Sequence, residues 1–567
     1  MNRHFRRALL GGCAGLLASA PLYLTFESVA AAVALGTILG AVFTVCFSPS
    51  KNAYVDALMV GASAGMPCWA LFTLLLFPLF SGHSPQWEAE GMRTQFPALV
   101  GWVCYGGLLG LLAQGSSDLA ARIFGPEPED ASLRDVRKRR IVILGGGFAG
   151  METAVALERE LRGDPSVSIT LVSETNALLF TPMLAEVAGS SLEGGHISTP
   201  LRTSLHFASF IRGRVKTIDL EKRCVLLEMD AVAGMEPEAP RALEFDQLVL
   251  ALGAVSNYHG LTNVEKHSFN FKSLLDAIRI RNHVIEMFER ADRESNEGAR
   301  RAMLTFVVAG GGFAGVELAG ALNDFSRGIL ADYPNLRPEE VCVVLVHARD
   351  RILPELSEGL GDYARRSMET RGVRFKLGVR LLDARPGVVV LSDGEIPAQT
   401  LVWTAGVAPN PLLATLPYER DKRGAVKVES TMAVPGAPGI WAVGDCAALN
   451  DGKTGKPCPP TAQFAIREAA TLARNLKAAL EGRPAQPFHF DSLGAMCVVG
   501  HQTACAELSV PFMTGTSLRF SGLLAWLMWR GIYLSKLPGL ERKVRVLLDW
   551  TIELFFPKDI VQTFDLH

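Results

Sequence analysis

The hexapeptide Gly-Gly-Gly-Phe-Ala-Gly occurs twice in this chain of 567 residues, at 145–150 and at 310–315. Each copy follows an apolar run of strand-forming residues, Ile-Val-Ile-Leu at 141–144 and Leu-Thr-Phe-Val-Val-Ala at 304–309. Each opens a stretch of helical spacing, 151–157 and 316–322, and a second apolar run follows, at 167–172 and 341–346. Strand, glycine turn, helix and strand make the α/β unit that holds a dinucleotide. Its glycines permit a tight turn, close approach of backbone to a pyrophosphate, and close helix–strand packing. The helix N-terminus adds N–H groups and the positive end of its dipole. Gly145, Gly147, Phe148, Ala149 and Gly150, and again Gly310, Gly312, Phe313, Ala314 and Gly315, are therefore the candidate cofactor-binding turns. Two Rossmann-like units in one chain imply two dinucleotides. A flavin with a nicotinamide is the economical pair, because a hydride donor needs an acceptor held face to face.

The two units differ where their second strands end. In the first, Glu174 lies ~20 residues past the glycines, where an acid can hold a ribose hydroxyl. In the second, His347 stands at that point, with Arg349, Asp350 and Arg351 close behind. A missing acid with arginine nearby suits a 2′-phosphate. NADH and NADPH both stay open, since Asp350 could serve NADH.

Three further runs end in small-residue turns: 245–254, 401–410, and 439–445, the last closing on Gly-Asp. Asp445 could there meet a flavin ribityl chain. With Leu-Phe-Thr-Pro at 179–182, Ala-Leu-Gly-Ala at 251–254, Gly-Val-Glu-Leu-Ala-Gly at 315–320, Trp-Thr-Ala-Gly-Val at 403–407 and Ala-Gln-Phe-Ala at 462–465, these residues resemble the two-dinucleotide-binding-domain flavoproteins. The type II NADH dehydrogenases (NADH:quinone oxidoreductases) are the family they are most similar to, from about residue 140 to the C-terminus.

The resemblance implies a nicotinamide domain, 266–415, inserted into an FAD domain made of 141–265 and 416–485. It implies hydride transfer from NAD(P)H to FAD, then two electrons to a membrane quinone, without proton pumping. Glu317 would lie near the nicotinamide and flavin, and Ala462 and Gln463 against the flavin ring beside the quinone; Glu317 and Gln463 are the catalytic candidates. Thr181, Pro182, Val215, Ala251, Gly253, Gly406, Asp445 and Phe464 complete the implied cofactor contacts. The chain departs from the family at Arg467, where a second glutamine is usual, and in its N-terminal block.

The mean hydropathy of +0.22 is high for a soluble enzyme, and the excess sits in the first 115 residues and near the C-terminus. Four apolar stretches, about 8–26, 29–47, 53–80 and 96–113, reach or approach the ~20 residues a helix needs to cross a bilayer. Arg3, Arg6, Arg7, Lys51 and the basic cluster after the fourth stretch put both ends in the cytoplasm, giving a multi-pass inner-membrane protein with a cytoplasmic catalytic domain. A signal peptide cut after Ala18-Ser19-Ala20 is the rival reading. Every stretch carries Gly-x-x-x-Gly (Gly11/Gly15, Gly36/Gly40, Gly61/Gly65, Gly106/Gly110), so the four pack together or against a second copy as a homodimer. Residues 116–140 read as a linker whose basic cluster either touches anionic lipid or is solvated. Residues 486–567, with aromatic and basic residues at spacings of three and four from 518 on, read as in-plane membrane helices.

A net charge of −2 gives no sign of nucleic-acid binding. The 10 cysteines show no C-x-x-C, no metal site is expected, and no histidine lies inside the four stretches to hold haem. Cys446 and Cys458 keep a sulfide:quinone oxidoreductase open. A membrane redox sensor or assembly protein is the alternative from outside enzymology.

Overall fold

The computed structural model describes residues 3–26, 28–46, 54–80, 82, 95–124, 138–162, 164–229, 239–509 and 517–562. The chain divides into two compact units, Met1–Val136 and Arg137–His567. Lys51, Arg137 and most of the residues between the third and fourth apolar stretches lie outside the described residues.

The first unit is helical. Among the described residues two helices are long and apolar enough to cross a membrane by length and composition, Tyr54–Leu79 and Phe96–Ala120, while the apolar helix Val29–Val45 is shorter. The first expected span is not one helix. Arg3–Ala18 ends where Pro21 enters, and a 3-10 turn, Ala20–Leu22, precedes the short helix Tyr23–Phe26. The fourth helix continues to Phe124, so the early part of the expected linker is helical. The small-residue stripes face each other within the chain. A Cβ on Gly15 would stand 2.1 Å from the Gly36 carbonyl oxygen, and one on Gly61 2.0 Å from that of Gly106. With these stripes used internally, they give no basis for a homodimer. Tyr105 Oη donates to the Gly36 carbonyl at 2.7 Å, and Trp102 Nε1 to Thr73 at 2.9 Å. Gly61→Val should therefore force the third and fourth helices apart and destabilise this unit by about 1–3 kcal/mol or more; helicity followed during heating in detergent measures it, and an unchanged midpoint would contradict the packing.

The second unit contains two five-stranded parallel sheets of matching design. In the first, the order is Ile440–Ala442, Gln247–Leu250, Arg139–Leu144, Val167–Ser173, Ser209–Arg212. In the second it is Phe269–Asn270, Thr400–Trp403, Thr305–Ala309, Cys342–His347, Val373–Leu377. The central strands are apolar at nearly every position because both faces of each parallel sheet are covered, one by helices and the other by antiparallel strands such as Cys224–Glu228 and Val388–Leu391; all five residues of Thr305–Ala309 are buried. The outer strand Ile440–Ala442 returns to the first sheet after the whole second sheet has been built, so the second fold is inserted into the first. The chain leaves on Ala254–Ser256 and comes back on Val407–Pro409, which pair antiparallel.

Arg139 and Arg140, the end of the expected linker, are part of the second unit. They begin the central strand, where Arg140 is held by Asp246 and Glu244, and Arg139 donates to the Leu480 carbonyl at 2.7 Å. After the helix Ala462–Leu480 comes an antiparallel sheet, Gly494–Gly500, Thr503–Ser509 and Ser517–Gly522, then helices Leu523–Lys536 and Leu540–Glu553. Residues 518–522, expected in a helix, are thus a strand; Gly522, at φ +74, turns the chain into the helix. The two helices bury one edge, through Trp526, Trp529, Val546 and Trp550, and expose another that is also apolar, including Leu523, Leu524, Leu527, Leu547 and Leu548.

Candidate active site

The first glycine turn joins strand Arg139–Leu144 to helix Phe148–Glu160. Gly145 has φ +112, and a Cβ there would lie 2.1 Å from the Ala251 carbonyl oxygen. A Cβ on Gly150 would lie 1.8 Å from the carbonyl oxygen of Gly145, whereas one on Gly147 would meet nothing within 4 Å. Gly145 and Gly150 thus close the turn, and Gly147 leaves its outer side open. Gly147 is also the N-cap, and no side chain caps the helix. Uncapped N–H groups beside an open glycine are what a pyrophosphate needs, so the turn fits a dinucleotide. The Gly-Asp turn abuts it, since a Cβ on Gly444 would stand 3.0 Å from Ala149 Cβ. Gly444 N donates to the buried Glu468 carboxylate at 2.9 Å. Burial pushes the Asp445 carboxyl up, and the nearby Lys272 ammonium opposes that shift.

Other expected flavin contacts surround this turn. Phe148 stacks edge-on against Phe180 at 5.9 Å, beside the 3-10 turn that carries Thr181 and Pro182. Gly253, at φ +66, has open space around it and accepts from Asn410 N at 3.1 Å. Glu174 follows the strand Val167–Ser173 directly, exposed, and pairs with Arg214 at 3.3 Å; Val215 is the next residue of the strand Arg214–Asp219. Phe464 is buried in the core of the first fold. Ala462 opens its helix and Gln463 follows, but the Gln463 amide is occupied: it donates to the Gly494 carbonyl at 3.3 Å and accepts from Leu493 N at 3.0 Å. It pins the helix to the start of the C-terminal sheet. Arg467, one turn on, places its guanidinium over the Phe490 ring at 5.3 Å.

The second turn repeats the first. Gly310 has φ +125, a Cβ on Gly315 would fall 1.9 Å from the Gly310 carbonyl oxygen, and Gly312 is an N-cap with no capping side chain. Phe313 is half-buried and Ala314 exposed at the helix start. His347 packs on Gly311, and Gly406 lies beside His259.

Glu317 sits one turn into this second helix, and Val498 N donates to it at 3.4 Å. It lines a cavity of about 280 Å3 with Pro182, Glu186, Trp526, Trp529 and Arg530. Burial pushes the Glu317 carboxyl up to about 8, and that of Glu186 to about 7, against the pull of Arg530. Arg530 lies between the rings of Trp526 and Trp550, at 3.9 and 4.5 Å, and pairs with Glu553 at 3.0 Å. Two carboxyls that are partly protonated near neutrality can hold and release protons there. Glu186 and Glu468 are missing from the sequence reading, which places Arg530 only among the basic residues of the C-terminal helices. Their one signal is a charge on an otherwise buried helix face, as at Glu468 between Ala465 and Ala469.

The thiols offer no competing chemistry. Cys446 is buried, its Sγ 3.6 Å from the Gly253 carbonyl, and burial pushes both it and Cys458 up to about 12. Among the described residues no cluster of His, Cys, Asp and Glu is placed to hold a metal.

Two dinucleotide turns of this construction, one fold inserted in the other, define a two-domain flavoprotein, and residues 139–469 match the family pyridine nucleotide-disulphide oxidoreductase. Residues 493–559 match the NDH2 C-terminal domain. The type II NADH:quinone oxidoreductase Ndh of Mycobacterium tuberculosis is 32% identical over 440 residues, 75% of this chain and 90% of that protein. The chain belongs to the type II NADH:quinone oxidoreductase family. The external alternative NADH-ubiquinone oxidoreductase of Yarrowia lipolytica is 26% identical, covering 76% of this chain and 82% of that one. In fold, NDH2 of Plasmodium falciparum, solved with NADH, aligns at a TM-score of 0.66 and 18% identity over 75% of this chain and 100% of that one. Residues 1–138 lie outside both family matches.

Proposed function

We propose that this chain is an NADH:quinone oxidoreductase that holds FAD at the first glycine turn and NADH at the second. When bound, FAD supplies the two-electron chemistry, accepting a hydride from NADH and passing electrons to a quinone. The protein supplies alignment, exclusion of water and protons. The observation that carries this reading is the place of Glu317: on the second nucleotide helix, with a raised pKa, lining a cavity roofed by the C-terminal helices. Glu317 holds a proton beside the site of electron transfer. Gln463 acts as a positioning residue, fixing the helix Ala462–Leu480 against the C-terminal sheet. The exposed apolar edge of the last two helices, with Arg542, Lys543 and Arg545 nearby, suits docking on a bilayer, where a quinone would be found. The helices Tyr54–Leu79 and Phe96–Ala120 anchor the chain as membrane spans, with the catalytic unit in the cytoplasm where nicotinamide cofactors are.

Purified full-length protein should be yellow, and NADH should bleach the flavin, with a soluble quinone restoring the colour. Negligible steady-state NADH oxidation with FAD bound would overturn the reading and favour a sensor or assembly role.

A further inference from the structure

We propose that the Lys272 ammonium forms a wall of the flavin site, opposite the Asp445 carboxylate, and stabilises the negative charge that the flavin gains on reduction. This rests on the reading of the first glycine fold as the FAD site.

Two turns meet at the carboxyl ends of neighbouring strands of the first sheet. Residues 251–254 follow Gln247–Leu250, and Gly444, Asp445 and Cys446 follow Ile440–Ala442. Val443 N donates to the Leu250 carbonyl at 3.1 Å, and Cys446 Sγ to that of Gly253 at 3.6 Å. Ligands of open parallel sheets lie outside these strand ends. Lys272 comes from the other fold, just after its outer strand Phe269–Asn270, and reaches back to this place. Its Nζ donates to the Ala254 carbonyl at 3.0 Å. Its backbone is fixed as well. The Lys272 and Ser273 N–H groups donate to Asp276 at 3.0 and 2.7 Å, in the capping box that opens helix Leu274–Arg293.

Both charged groups are half-buried and under-used. An ammonium has three donors, and among the described residues the Lys272 Nζ has no partner besides the Ala254 carbonyl. The Asp445 carboxylate accepts no hydrogen bond among those residues. Burial pulls the Lys272 pKa down and the nearby Asp445 carboxylate opposes that shift, yet the two do not close into an ion pair. A second cation near Asp445, Arg423, pairs with Asp421 at 3.0 Å. Opposite charges that face each other partly buried without touching are costly unless polar groups lie between them. A flavin supplies such groups: ribityl hydroxyls to donate to Asp445, and pyrimidine carbonyls to accept from Lys272.

Hydride transfer from NADH to FAD yields NAD+ and a reduced flavin with one added negative charge, spread over the pyrimidine ring. A cation beside that ring favours the reduced form and raises its potential. Sulfite, which adds to oxidised flavin and leaves the same charge on the ring, is a probe that needs no turnover.

FAD-loaded, full-length protein in detergent is compared as wild type, Lys272→Gln and Lys272→Arg. Glutamine keeps a donor for the Ala254 carbonyl but no charge. Flavin bleaching by sulfite gives its affinity, and equilibration with reference dyes gives the midpoint potential. Wild-type flavin should bleach at millimolar sulfite. Lys272→Gln should bind sulfite at least about tenfold more weakly, and its potential should fall by ~30 mV, a tenfold change in a two-electron equilibrium, while Lys272→Arg stays within about threefold of wild type. Unchanged sulfite affinity and potential in yellow Lys272→Gln would overturn the proposal, leaving Lys272 as a strut between the two folds. A folded Lys272→Gln that loses FAD also overturns it, because the ammonium would then hold the pyrophosphate rather than the ring. Wild-type flavin that sulfite does not bleach overturns it without any variant. Colourless wild-type protein would instead remove the flavin-site reading itself.

Discussion

Protein carrying Gly150→Val should purify without flavin, whereas Gly147→Val should fold and lose only its grip on FAD. The two glycines are three residues apart and have opposite reasons for lacking a side chain. At Gly150 even a Cβ would lie 1.8 Å from the carbonyl oxygen of Gly145. Neither atom can retreat, since Gly145 is itself pressed against Ala251 on the next strand. The overlap falls on the central strand and helix of the first sheet, so overpacking there should cost about 1–3 kcal/mol or more and distort the turn. At Gly147 the same Cβ would meet no protein atom within 4 Å. The added side chain would occupy the space that a pyrophosphate needs. A thermal midpoint close to wild type with a large loss of FAD affinity is expected for Gly147→Val. Flavin absorbance after gel filtration, with and without added FAD, reads both outcomes. Full flavin content in Gly150→Val would refute the role given to the first turn.

Glu317→Gln should slow quinone reduction by about 10²-fold, the loss typical of removing a positioned proton donor, while leaving flavin reduction by NADH much less affected. Wild-type quinone reduction should hold below pH 8 and fall above it, because the carboxyl is pushed up to about 8 and is protonated below that value. The variant should lack that limb. Stability gives an independent readout. The folded pKa is raised above the ordinary glutamate value of 4.5, so the unfolded chain releases this proton first as pH rises. The stabilisation is therefore fully present below about pH 4.5 and is lost as pH rises through about 8. The melting temperature of wild type should fall relative to Glu317→Gln across that window. Parallel curves would mean that the carboxyl is not buried as described.

Much of the second unit was legible because its physics is local. A glycine turn with φ above +100 and an uncapped helix after an apolar run can be read from six letters. The insertion of one fold in the other was implied by the resemblance to the family, and the strand order bears it out. The N-terminal block was read less well. Composition found its apolar stretches, but Pro21 broke the first, and among the described residues two helices are long and apolar enough to cross a membrane. The tail was misread at 518–522, where a spacing of three and four coexists with a spacing of two and the neighbouring strand Thr503–Ser509 decides between them.

The sequence alone determined the two nucleotide turns, because each depends on backbone conformations open chiefly to glycine and on residues adjacent in the chain. Only the tertiary structure brings together the charged side chains that line the cavity. Glu186, Glu317 and Arg530 come from three helices far apart in sequence, and Gln463, expected to face the reaction, spends its amide on the C-terminal sheet. Burial and neighbouring charge set the proton affinity of the two carboxyls, and both are properties of the assembled fold.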